Sequence, residues 1–121
     1  MKCNLTKTNN FMSVDLKELQ KEVMRNKIEK GFNTTDVAME FCRAHEELSE
    51  AYSKFSKNQN GVAEEFADVA IFILGMCEIL GYDLEKELVN KIQTNKNRKY
   101  VKSKTPDGKD IFIRVKTEVD P

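Results

Sequence analysis

The stretch VAEEFADVAIFILGMCEIL, residues 62–80, decides the fold. Phe66, Val69, Ile73, Cys77 and Leu80 recur at helical spacing, and Ile71, Phe72, Leu74 and Ile79 cover most of the remaining circumference. A helix that is apolar nearly all round is buried nearly all round. This one is therefore expected at the centre of the domain and against a second subunit, with Gly81 marking its end. Its first two turns carry Glu64, Glu65 and Asp68. Carboxylates beside such an apolar run are costly to desolvate unless a cation or strong donors compensate them.

Working outward, a helix from Thr34 or Thr35 to about Phe55 precedes it, with Val37, Phe41, Ala44, Leu48, Ala51, Tyr52 and Phe55 in one stripe. The loop between the two is Asn58-Gln59-Asn60-Gly61. Further upstream Asp15 is placed as an N-cap, with Glu18 completing a capping box and Val14 and Leu19 a hydrophobic staple. Leu16, Leu19, Val23 and Ile28 give that first helix its apolar face, and Gly31 ends it. Downstream, Asp83 caps a fourth helix running to about Tyr100. Thr105-Pro106-Asp107-Gly108 is a turn signal. The alternation of Ile111, Ile113 and Val115 with charged and aromatic neighbours predicts a strand, paired with residues 101–104. The predicted fold is all-α: an antiparallel bundle of about four helices with a short C-terminal β-hairpin. Residues 1–12 form a flexible lead-in, 13–100 a helical catalytic domain and 101–121 a tail.

The bulk properties agree. The chain has 121 residues, the length of one domain, and its two prolines and five glycines leave room for long helices. Its 20 basic and 20 acidic residues balance, so net charge points to no partner. Their distribution is uneven, because 91–104 holds six Lys or Arg and no Asp or Glu. Cys3, Cys42 and Cys77 lack metal-ligand spacing and read as small buried hydrophobes of a reducing compartment. The first ten residues have no signal-peptide core, and the apolar run 69–77 is about half the length a bilayer requires. A cytoplasmic protein without a membrane segment is expected.

The chemistry lies in EELSE, residues 46–50, and EEFAD, residues 64–68. Glu47 and Glu50 are three apart and share one side of a helix, as do Glu65 and Asp68 on the next. The fourteen residues between Glu50 and Glu65 finish one helix, turn, and bring the other back antiparallel, so the pairs can face each other. Four converging carboxylates repel one another and raise their pKa values. A hard divalent cation relieves that conflict, and oxygen-only ligands favour Mg²⁺, with Mn²⁺ as a substitute. Glu46 and Glu64 point further from the apolar stripes and are expected outside the ligand set. His45 falls among Phe41, Leu48 and Tyr52, the setting of a packed structural histidine.

On the fourth helix the line begun by Leu84 and Leu88 continues through Lys91, Asn95 and Arg98. Cationic and amide groups on an inward line suit phosphate oxygens, with Lys as a point charge, Arg as a fork and Asn as a neutral donor. Tyr100 adds a hydroxyl or a surface for a base.

Taken in order, Glu46-Glu47-x-x-Glu50, Glu65-x-x-Asp68 and Lys91-x-x-x-Asn95-x-x-Arg98 resemble the signature of the MazG-like all-α nucleoside triphosphate pyrophosphohydrolases. That superfamily also includes dimeric dUTPases and phosphoribosyl-ATP pyrophosphohydrolases. The resemblance spans about residues 15–100 and excludes the tail. It implies a Mg²⁺-dependent enzyme that cleaves the α–β bond of a nucleoside triphosphate to a monophosphate and pyrophosphate, working as a homodimer or homotetramer. Two other classes compete: a non-enzymatic helical interaction module, and a nucleic-acid binder using the basic 91–104 segment, which the acidic clusters oppose. A ferritin-like di-iron protein is disfavoured by the lack of a Glu-x-x-His pair.

Overall fold

A computed structural model describes residues 13–116. They form four helices, α1 (Leu16–Lys30), α2 (Val37–Ser56), α3 (Val62–Leu80) and α4 (Leu84–Asn97), followed by strands β1 (Lys99–Lys104) and β2 (Asp110–Val115). The lead-in expected over 1–12, Cys3 and residues 117–121 lie outside the described residues. Two compact units divide the chain, one ending at Leu84 and the other beginning at Glu85.

In the first unit α3 packs against both α1 and α2, which makes it the central helix the sequence predicts. Both pairings are antiparallel. Gln20 donates to Glu78 and Lys27 lies over Phe72, while Lys54 meets Glu65 and Glu47 meets Asp68, so partners run in opposite chain order. Local chemistry sets the ends. Asp15 accepts the Glu18 N–H at 3.1 Å, and Gly31 and Gly81 terminate α1 and α3 in the left-handed region. The start of α2 is later than expected: Asn33 Oδ1 accepts from the N–H groups of Thr35 and Asp36, and Asp36 is the N-cap. That turn competes with helix for residues 34 and 35.

The apolar faces depart more from expectation. Among the described residues the buried hydrophobic core is Ala51, Leu74, Met76 and Cys77. The α2 stripe faces outward instead, with Phe41, Leu48, Tyr52 and Phe55 at least half exposed, and Phe66 of α3 is exposed beside them. Ile28 and Val14 are also exposed, so neither joins a core contact of α1. Apart from Ala51, what α1 and α2 bury is polar. Lys27 and Glu40 form an ion pair with 7% and 2% of their surfaces exposed, and Lys27 sits 5.9 Å from the Phe72 ring centroid. The Lys27 stem passes over Gly75, where an added Cβ would lie 3.6 Å from Lys27 Cδ and 3.5 Å from Val23 Cγ1. Gln20, 5% exposed, donates to Glu78 and to the Tyr82 carbonyl and accepts from Leu84 N–H. Gln20, Lys27 and Glu40 thus each have the partner their desolvation requires.

The second unit holds α4 beyond Leu84 and the hairpin. Residue by residue, β1 and β2 pair antiparallel in the register Tyr100↔Arg114 and Val101↔Ile113, closed by the turn at Thr105–Gly108. Opposed residues share a face, so Val101, Ile111, Ile113 and Val115 form an apolar face. Tyr100, Lys102, Lys104, Phe112 and Arg114 form a cationic, aromatic one. The fourth helix is shorter than predicted: it stops at Asn97, and Tyr100 lies on a strand. No residue of α4 is buried, and Leu88, Lys91 and Asn95 are exposed. No helix among the described residues is long and apolar enough to cross a membrane.

Candidate metal centre

The facing of α2 and α3 brings Glu47, Glu65 and Asp68 together, with one carboxylate oxygen from each within 4.8 Å of the other two. Three turns of helix geometry explain this. Glu47 lies on the α2 flank that carries buried Ala51 one turn later, and Glu65 and Asp68 lie one turn apart on the facing flank of α3. Glu50 is exposed and stands outside the set of three, though close enough to act on Glu47 and Glu65 electrostatically. Glu46 and Glu64 are exposed, as expected.

Glu65 is the buried member, with 7% of its surface exposed. Its Oε1 accepts from Lys54 Nζ at 2.6 Å, while its Oε2 is buried with no hydrogen-bond partner. An ionised carboxylate oxygen left bare costs free energy that a positive charge removes. The Lys54 contact draws the Glu65 pKa below the usual carboxylate value. Glu47 goes the other way and is pushed up to about 7, first by the Glu65 carboxylate beside it, then by burial and by the charges of Glu50 and Asp68.

That opposition has a testable consequence. A carboxyl whose pKa is higher in the folded than in the unfolded chain binds more protons when folded, so its contribution to stability falls as pH rises between the two values. For Glu47 the window runs from the ordinary 4.5 to about 7. Glu65, with its pKa lowered, contributes above its ordinary value and loses that contribution only on acidification below 4.5, outside this window. The metal-free chain should therefore melt lower at about pH 7.5 than at about pH 5. A divalent ion held by these carboxylates would compete with a proton on Glu47, so Mg²⁺ should raise the melting temperature more at the higher pH. Circular-dichroism melts with and without chelator test this, and an equal Mg²⁺ effect at both pH values would refute the competition.

Glu47 and Asp68 also edge a cavity of about 690 Å³ bounded by Val23, Asn26 and Lys27 of α1, by Phe32, and by Ile71 and Phe72 of α3. That volume suits a small organic ligand, and its walls are mostly apolar with a few polar groups. In the second unit Arg98 donates to Asn95 Oδ1 at 2.9 Å, and Lys91 and Tyr100 are exposed. His45 is exposed too, beside Cys42 and Glu50, and is not the packed histidine predicted. Cys77 is buried as expected but Cys42 is exposed. The residues that sequence reasoning missed are Lys54, Lys27 and Glu40. A Lys four after a Glu reads as a surface helix pair, and nothing local tells Lys54 from one.

The fold and site together define a mostly helical protein with a carboxylate cluster at the α2–α3 interface. Compared with known proteins, the chain matches no family model, no curated protein and no solved structure.

Proposed function

We propose that the chain is a Mg²⁺-dependent nucleoside triphosphate pyrophosphohydrolase of the MazG-like all-α type. The observation that carries this is the buried, unpartnered Oε2 of Glu65 within a three-carboxylate cluster. A buried ionised oxygen is suited to a cation, and an oxygen-only donor set suits Mg²⁺ or Mn²⁺. Glu47, Glu65 and Asp68 would hold the ion, with Glu50 at the margin. When bound, the ion supplies Lewis-acid polarisation of phosphate oxygens and activation of water.

The chain's own groups do the rest. A glutamate of the cluster accepts the proton of the attacking water. The cavity beside Glu47 and Asp68, with Phe32 and Phe72 in its walls, takes the nucleoside and keeps water from the reacting centre. Lys91, Asn95, Arg98 and Tyr100 enter on the sequence pattern alone, as donors to the triphosphate. The nucleotide and the α–β cleavage likewise rest on the order and spacing of the three motifs.

A homo-oligomer belongs to the same reading. Leu48, Ala51, Tyr52, Phe55, Val62 and Phe66 line a groove of about 540 Å³ on α2 and α3. An aromatic patch of this kind on a single chain marks an interaction surface. The direct test is a screen of natural and modified nucleoside triphosphates with Mg²⁺, with pyrophosphate and phosphate assayed separately. Pyrophosphate with a monophosphate is expected. Inertness toward every triphosphate would leave a helical interaction module as the better description.

A further inference from the structure

We infer that the ε-ammonium of Lys54 permanently fills a second cation position of the carboxylate cluster, so that the chain itself holds one divalent ion rather than two. This rests on the metal reading of the cluster and specifies its stoichiometry.

Glu47, Glu50 and Lys54 are spaced three and four apart on α2, so the Lys side chain continues the line of the carboxylates one turn further along. It reaches across to α3, where Nζ lies 2.6 Å from Glu65 Oε1. The two oxygens of Glu65 are thereby divided. Oε1 serves the ammonium, and buried Oε2 has no partner and belongs to the carboxylate that converges with Glu47 and Asp68. A carboxylate that serves two cations, one on each oxygen, is how a two-cation centre is bridged. Here one of the two positive charges is covalently part of the chain.

The surroundings of Lys54 support the assignment. Its ammonium also feels Glu64 and Glu50, so it sits among three acidic groups. Glu50 and Glu64 are two of the three acidic residues of the two acidic blocks that the three-carboxylate set leaves out, Glu46 being the third. The Lys54 side chain also has a track made for it. Gly61, the N-cap of α3 at φ 98°, lies beside it, and a Cβ there would come within 3.2 Å of Nζ and 3.7 Å of Cδ. An L side chain at Gly61 would be strained by that φ and would also crowd the ammonium. Lys54 keeps 32% of its side-chain surface exposed, enough for hydration of the remaining N–H donors.

Electrostatics then limits the occupancy. An ammonium and a divalent ion cannot share one carboxylate oxygen, and at a few ångströms their repulsion is strong in a half-buried site. While Lys54 stays on Oε1, the protein offers one cation place, formed by Glu47, Asp68 and Glu65 Oε2. Any further ion in the reaction must arrive on the triphosphate.

The test uses the full metal-stripped chain and Mn²⁺ alone, with calorimetry for stoichiometry and electron paramagnetic resonance for spin coupling between ions. Wild type should bind one Mn²⁺ per chain with the spectrum of an isolated ion. Lys54→Met should bind two and show exchange coupling between them, while Lys54→Arg should remain at one. Two ions in wild type, or one in Lys54→Met, would overturn the role of Lys54 and leave the metal site standing. No Mn²⁺ in wild type would instead overturn the metal reading beneath it. Should Lys54→Met lose its helical spectrum, Lys54→Gln replaces it, and the wild-type stoichiometry remains decisive by itself.

Discussion

A chain carrying Asp68→Asn should release pyrophosphate from nucleoside triphosphates at least about 10²-fold more slowly than wild type, a loss on the scale of removing one preorganised transition-state group. The substitution keeps the shape of the side chain and removes one of the three charges that converge at the cluster. It leaves intact the Lys54–Glu65 ion pair, the Lys27–Glu40 ion pair and the Gln20 hydrogen bonds. Its helical spectrum should therefore match wild type, and its melting temperature without metal should be no lower, because one source of repulsion on Glu47 has gone. The Mg²⁺-induced rise in melting temperature should shrink in parallel with activity. Full activity with this variant would remove Asp68 from the site.

The second large effect concerns stability. Lys27→Met leaves the Glu40 carboxylate 2% exposed and without its cation. Breaking a buried pair from one side costs about 3–5 kcal/mol, whereas exchanging both partners for apolar residues is often neutral. The single variant should therefore lose much of the stability of a domain this size, and Lys27→Met with Glu40→Met should regain most of it. Denaturant titration of wild type, both single variants and the double variant completes the cycle. Additive losses would show that the two side chains do not act as a pair. The cation–π contact with Phe72 is a smaller contribution of the same Lys and disappears in both Lys27 variants.

Helix ends and turns were the most legible part of the chain because their causes are local. Asp15, Gly31 and Gly81 act within a few residues of themselves, and α3 begins and ends at the residues its pattern predicts. The hairpin also follows from its turn and alternation. The boundary of α4 was less legible. Lys, Asn and Arg after Leu88 suit a helix as well as a loop, and the pairing of Tyr100 with Arg114 is a contact fourteen residues away that no local signal carries.

The α2 face was misread for a different reason. Apolar periodicity locates a stripe but not its destination, and the usual inference is that the stripe faces the core. Here the inner flank of α2 is occupied by Glu40, Glu47 and Ala51, and its aromatic flank points away. Buried Gln20, Lys27 and Glu40 were invisible because a polar residue reads as surface until its partner is known. For the candidate site, the three converging carboxylates could be anticipated from ExxE and ExxD spacing on consecutive helices. The unpartnered oxygen and the Lys54 contact could not, since both depend on how closely the two helices approach.

Leu48 follows Glu47 in the chain, and Phe66 follows Glu65, and neighbours on a helix diverge by about 100°. The outward aromatic strip and the acidic cluster are thus two sides of the same pair of rods. A twist of either rod that improved the cover over Leu48 or Phe66 would swing a carboxylate out of the cluster. On the proposed metal reading, anything that seats on the strip would have leverage on ion affinity, and by reciprocity the ion would have equal leverage on whatever seats there.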